Sequence, residues 1–243
     1  MSVLAVSHLA KCYGSIQAVH DVSFALEQGE VLGIVGESGC GKTTLLRLIS
    51  GLETADSGEI LFQNAALPAK RAKSHYRSMQ MIFQDAVGSF PPRRRVTDSI
   101  RDSVRSLLGR DETIDIPALC TTVGLSPELA HRYPGQLSGG QCQRFAIARA
   151  MAISPDILLC DEITSALDVV SQKQILTLLG SLCRAKRMSA VFVSHDLAVV
   201  SGLCSRLLVM RDGRVVEAGS TAQIIQAPRE NYTHQLINAV LEI

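Results

Sequence analysis

Residues 31–50 read VLGIVGESGCGKTTLLRLIS, and the order of residue types in this stretch decides the fold. VLGIV is a short, unbroken apolar run, the pattern of a strand buried on both faces in a parallel sheet. GESGCG places three glycines among six residues and ends regular structure. TTLLRLISGL returns to helical spacing, with Leu45, Leu48, Ile49 and Leu52 on one face. Residues 36–43, GESGCGKT, fit G-x-x-x-x-G-K-[ST] between a strand and a helix, the context that pattern requires. Backbone N–H groups of such a turn point inward and cradle phosphate oxygens. The helix N-terminus adds positive potential. Gly36, Glu37, Ser38, Gly39, Cys40, Gly41, Lys42, Thr43 and Thr44 are thus the candidate nucleotide-binding residues. Gly39 and Gly41 allow angles and close approaches that side chains would hinder. Lys42 can reach β- and γ-phosphates, and the Thr43 hydroxyl can ligate Mg²⁺.

Outward from this stretch, strands and helices alternate. VLAVSHLAKCY and VSFALE before it are strand-like, with breaks at Gly14 and Gly29, and EILFQ after it is another strand. Residues 69–77 read as a solvated surface helix, and MQMIFQ as a strand. SFPPRRR breaks regular structure at Pro91 and Pro92. Residues 97–152 are mostly helical in pattern, with breaks at Gly109, Pro117, Pro127 and Pro134. ILLCDE and AVFVSHD are apolar strands around the amphipathic SQKQILTLLGSLCRAK, and RLLVMRDGRVVEAG is a hairpin turning at Asp212-Gly213. The pattern predicts one α/β domain with a mainly parallel core and a helical insertion. ILLCDE delivers Asp161 to the carboxyl end of a strand, where α/β sheets bind ligands. Asp161 is placed to hold Mg²⁺ through water, and Glu162 to orient or deprotonate an attacking water.

LSGGQCQR, residues 137–144, is more specific than either motif. With it the chain resembles the ATP-binding cassette (ABC) ATPases over nearly its whole length. Tyr13, the phosphate loop, Gln84, LSGGQ, Asp161-Glu162, SALD (165–168) and His195 follow in that family's order. The resemblance implies a P-loop NTPase core of RecA type with an antiparallel β subdomain (1–86 and 153–243) and a helical signature subdomain (87–152). It implies that Tyr13 stacks on adenine. Gln84 would touch Mg²⁺ or the attacking water and couple to a membrane partner. Ser138, Gly139, Gly140 and Gln141 would bind the γ-phosphate held by an opposite subunit. Asp168, in SALD, would contact that subunit, and His195 would lie near the γ-phosphate. Lys42, Gln84, Glu162 and His195 are thereby the catalytic candidates, with Thr43, Gln84 and Asp161 for Mg²⁺ and ATP as the nucleotide. Ile163 departs from the family's usual Pro, and Cys142 from its larger residues. Cys40, beside Lys42 and a helix N-terminus, is expected to have a lowered thiol pKa.

FQDAVGSFPPRRRVTDSI (83–100) and APRENYTHQLI resemble stretches of peptide/nickel-type importers, the second matching at Tyr232, Thr233 and Leu236. The resemblance implies a second ABC ATPase subunit (a different chain, with a homodimer as the lesser option), two permeases and an extracytoplasmic binding protein. Peptides, nickel and metallophores are open as cargo. An exporter ATPase and a soluble, non-transport ABC ATPase are the alternatives. Composition fits this reading. The 243 residues are 47% hydrophobic and carry a formal charge of +1, which excludes a disordered chain and argues against a nucleic-acid partner. No apolar run approaches the roughly 20 residues of a membrane span, and no signal peptide is evident. The seven cysteines show no CxxC pair, as for reduced thiols in a cytosolic protein. Attachment at the cytoplasmic membrane face is expected. The longer cysteine-bearing tail of some peptide-transporter ATPases is missing, so no iron–sulfur cluster is expected.

Overall fold

The structure, a computed structural model, describes residues 2–109 and 113–241. Strands β1 (Ser2–Tyr13), β2 (Ile16–Glu27) and β3 (Val31–Val35) lead to helix α1 (Lys42–Ser50) and strands β4 (Ser57–Phe62) and β5 (Ala65–Ala66). Next come α2 (Lys73–Ser78), β6 (Met79–Ile82), α3 (Val96–Leu107), α4 (Ile116–Thr122), two 3-10 turns, α5 (Gly139–Met151) and β7 (Ile157–Asp161). The chain continues through α6 (Val169–Lys186), β8 (Ser189–Ser194), α7 (Leu197–Ser201), β9 (Arg206–Arg211), β10 (Arg214–Ser220), α8 (Thr221–Gln226) and α9 (Asn231–Leu241). It divides into two compact units: the chain up to Arg71 together with that from Gly180 onward, and Ala72–Leu179.

The first unit holds two sheet regions. One is antiparallel, ordered β2-β1-β4-β5. In the other, β3 pairs in parallel with both β8 and β9, and β9 pairs antiparallel with β10. All six residues of β8 and four of the five in β3 are buried, as a parallel strand covered on both faces demands. The β9–β10 turn has positive φ at Asp212 (48°) and Gly213 (75°), the geometry that an Asp-Gly pair supplies for a twisted hairpin. α1 buries Leu45, Leu46, Leu48 and Ile49. Leu52 departs from the expected face and is 53% exposed. The reason is local: Gly51, at φ 78°, ends the helix in the left-handed conformation.

In the second unit, β6 and β7 pair in parallel, and all five residues of β7 are buried. α3 is amphipathic, burying Val96, Ile100 and Val104 at four-residue intervals. Most of α5 is buried, including Phe145, Ile147 and Met151, so its residues 139–141 are presented by a helix fixed in a core. The expected surface helix at 69–77 forms only over Lys73–Ser78, and none of its side chains is buried. Among the described residues, no helix is long and apolar enough to cross a membrane. Leu45→Ala is expected to cost about 2–5 kcal/mol of stability through the cavity it leaves, measured by urea unfolding.

Candidate nucleotide site

Strand β3 brings the chain to a loop that only glycine can turn. A Cβ on Gly36 would lie 2.2 Å from the Met210 carbonyl oxygen, and one on Gly41 2.1 Å from that of Ala18. Gly41, at φ 104°, is also the residue at which α1 begins, and it offers no side-chain cap. Lys42 is only 3% exposed. Its Nζ donates to the carbonyls of Gly36 (2.7 Å) and Glu37 (2.8 Å) and lies 3.8 Å from Cys40 Sγ. The Cys40 N–H donates to the Glu37 carbonyl at 3.3 Å, and the Gly213 N–H donates to that of Cys40 at 3.0 Å. The β9–β10 turn thereby braces the loop. Ser38 and Gly39 are exposed at its tip, and Thr43 and Thr44 are half-buried.

The thiol of Cys40 corrects the sequence expectation. It is 8% exposed, and burial pushes it above the ordinary thiol range against the opposing pull of Lys42. The desolvation of a thiolate outweighs the nearby cation here. Tyr13, at the end of β1, is 42% exposed; its ring lies 5.6 Å from Lys11 Nζ. His195 follows β8 and is exposed. Beside it, Asp196 caps α7 by accepting the Ala198 N–H at 2.8 Å. Sequence reasoning placed Tyr232 in no site, yet its phenol oxygen accepts the N–H of Glu37 at 3.0 Å. The match at Tyr232 in the NYT stretch was the available signal.

In the second unit, β7 ends on Asp161, which is 5% exposed. The next residue, Glu162, has φ 46°, a conformation uncommon outside glycine. Ser165 holds this turn. Its N–H (3.1 Å) and its hydroxyl (2.9 Å) both donate to the Glu162 carbonyl. The amide of Gln84 in turn donates to Ser165 Oγ at 3.0 Å and to Glu162 Oε2 at 3.4 Å. Two of the predicted catalytic residues, Gln84 and Glu162, are thus together. Ser165 as their shared partner was not foreseen, because the contact spans 81 residues of sequence. Ile163 is 1% exposed; an apolar side chain fills a core position at the departure from the family pattern.

Ser138 caps α5. Its Oγ accepts the Gln141 N–H (3.3 Å), and its own N–H donates to Gln141 Oε1 (3.0 Å), a reciprocal capping box. Gly139 and Gln84 line a common cavity of about 270 Å³ with Ile163 and Leu167. Asp168 accepts the Ser171 hydroxyl at 2.7 Å and its N–H at 2.9 Å, and these bonds, the hydroxyl's first, hold its carboxyl below the usual range. Among the described residues, no three His, Cys, Asp or Glu side chains gather as a ready metal cluster. The donors predicted for Mg²⁺ are a hydroxyl, a carboxylate and an amide oxygen, the hard ligands that ion takes when nucleotide phosphates complete its shell. Because burial disfavours its thiolate, Cys40 is expected to be alkylated by iodoacetamide at pH 7 more slowly than the exposed Cys12. Peptide mass spectrometry over a time course measures both.

Residues 19–165 match the ABC transporter family. The oligopeptide transport ATP-binding protein OppF of Haemophilus influenzae is 44% identical over 233 residues, covering 93% of this chain and 70% of that protein. In fold, cbiO1 from Clostridium perfringens, part of the ABC transporter complex cbiONQ, aligns with a TM-score of 0.82 at 24% identity, over 99% of this chain and 96% of that one. The ATP-binding cassette MJ0796, solved as a dimer in a post-hydrolysis state with ADP and Pi, aligns with a TM-score of 0.78 at 27% identity, over 90% of this chain and 98% of that one. The family match runs through the phosphate loop, Gln84, the signature and the acidic pair alike, and the chain belongs to the ABC transporter family as an ATP-binding, ATP-hydrolysing subunit.

Proposed function

We propose that this ATPase drives the import of peptides through partner permeases. The observation that carries the reading is the 44% identity over 93% of the chain to a protein named for oligopeptide transport. That name supports peptide over nickel or metallophore cargo. The chain works as a peripheral subunit at the cytoplasmic membrane face. It pairs with a second, different ABC ATPase chain on two permeases, supplied by an extracytoplasmic binding protein. The helical stretch 87–152 carries the signature to the partner ATPase.

The chemistry is phosphoryl transfer to water, in which charge spreads over the phosphate oxygens and catalysis rests on positioning and electrostatics. Adenine stacks on the exposed ring of Tyr13. The amides of the loop and of the first turn of α1, through Thr44, surround the phosphates. Lys42 exchanges its neutral carbonyl partners for anionic β- and γ-phosphate oxygens, a charge-assisted contact and so the stronger one. Thr43, Asp161 and Gln84 would hold Mg²⁺ by oxygen donors, and that ion supplies charge neutralisation at the β- and γ-phosphates. Glu162 takes the proton of the attacking water, with Gln84 orienting that water and His195 near the γ-phosphate. Ser138, Gly139, Gly140 and Gln141 complete the partner subunit's site, and Asp168 lies at that contact. Hydrolysis then releases both.

Glu162→Gln is expected to keep ATP binding and to slow turnover by about 10² to 10³, measured as phosphate release from the assembled transporter. Turnover at the wild-type rate would remove Glu162 from its role. In cells, disrupting the gene for this chain is expected to abolish energy-dependent uptake of labelled oligopeptides. Unchanged peptide uptake with a loss of nickel uptake would transfer the cargo assignment to the metal.

A further inference from the structure

Tyr232 is the second residue of α9 and is only 5% exposed. Its phenol oxygen accepts the backbone N–H of Glu37 at 3.0 Å, across 195 residues of sequence. The Arg211 guanidinium lies 4.9 Å from the centre of its ring. Burial pushes the phenol above the ordinary tyrosine range, against the pull of that cation and of the Glu37 N–H, so it is neutral at working pH. The backbone carbonyl of Glu37 is held as well: it accepts Lys42 Nζ at 2.8 Å and the Cys40 N–H at 3.3 Å. The Gly36–Glu37 peptide is therefore gripped at its N–H by α9 and at its carbonyl, that of Gly36, by the loop's own lysine at 2.7 Å.

The start of α9 is anchored in turn. Glu217, on β10, accepts the N–H groups of Arg229 (2.9 Å) and Glu230 (3.2 Å). Although burial works against its charge, these donors help hold its carboxyl below the usual range. Ile237, further along α9, is buried and packs the helix without touching the loop through a polar group.

We propose that Tyr232 is a positioning residue for ATP binding: its hydroxyl fixes the entry of the phosphate loop through the Glu37 amide and thereby sets where Lys42 stands. The proposal rests on the phosphate-loop reading above. A hydroxyl at this position restrains the loop from outside the cradle, so it acts on nucleotide affinity and not on the attack of water. Phenylalanine would keep the ring and its packing against Arg211 and leave the Glu37 N–H without its acceptor.

The test compares Tyr232→Phe, Ile237→Ala and Lys42→Ala, as full-length chains titrated with fluorescent ATP analogue and, in the assembled transporter, assayed for kcat and KM. Tyr232→Phe is expected to raise the Kd and KM for ATP about threefold to tenfold, the worth of one hydrogen bond, with kcat within about twofold of wild type. Ile237→Ala is expected to lower Tm with Kd unchanged, which separates loop positioning from general docking of α9. A Tyr232→Phe chain that binds ATP like wild type, while Lys42→Ala loses binding, would overturn the positioning role alone. An equal rise in Kd for Ile237→Ala would overturn it too, by making the effect one of helix stability. Undiminished binding by Lys42→Ala would overturn the phosphate-loop reading and the proposal with it.

Discussion

The first turn of α1 begins at a left-handed glycine, which offers no side-chain cap of its own. A helix start gathers N–H donors at the positive end of the helix, and the surrounding elements of the first unit hold this one in place. The chain must leave β3 and reverse within six residues. Met210 and Ala18 approach so closely that side chains at Gly36 and Gly41 are excluded. The Gly213 N–H braces the loop from the β9–β10 turn, and Tyr232 from α9. Lys42 closes the loop on itself through the Gly36 and Glu37 carbonyls. A buried ammonium costs several kcal/mol to desolvate. Its hydrogen bonds offset part of that, and a polyanion offers far more.

A different balance governs the second unit. Glu162 holds a positive φ, which costs on the order of 1–3 kcal/mol. The two donations from Ser165 to its carbonyl return about 0.5–1.5 kcal/mol each. The turn is thus stable only because its network is intact, and Gln84 joins that network at both Ser165 and Glu162. Gln84 thereby ties the Glu162 carboxylate to the same turn that Ser165 holds. The same logic explains why Ile163 is tolerated: the residue after the strained position contributes burial and leaves the hydrogen bonds to its neighbours.

What the sequence made legible is what the backbone demands locally. The phosphate loop, the Asp-Gly hairpin turn, the apolar strands and the signature helix all follow from residue types within a few positions of one another. What it hid depends on distant neighbours. Leu52 has helical spacing, but the helix ends at Ser50 and turns away at Gly51, so spacing alone placed it on the wrong surface. Cys40 has a lysine and a helix end nearby in sequence, both of which lower a thiol pKa. Its burial against the β9–β10 turn reverses the sign. Ser165 and Tyr232 lie 81 and 195 residues from their partners, and no periodicity connects them.

The account stands on a loop that binds the β- and γ-phosphates and not the nucleoside alone. Isothermal titration of the purified chain with ATP, ADP and AMP, each with Mg²⁺, tests this directly. The account requires that ATP and ADP bind and that AMP, which lacks both outer phosphates, binds far more weakly. Equal affinities for ATP and AMP would contradict it.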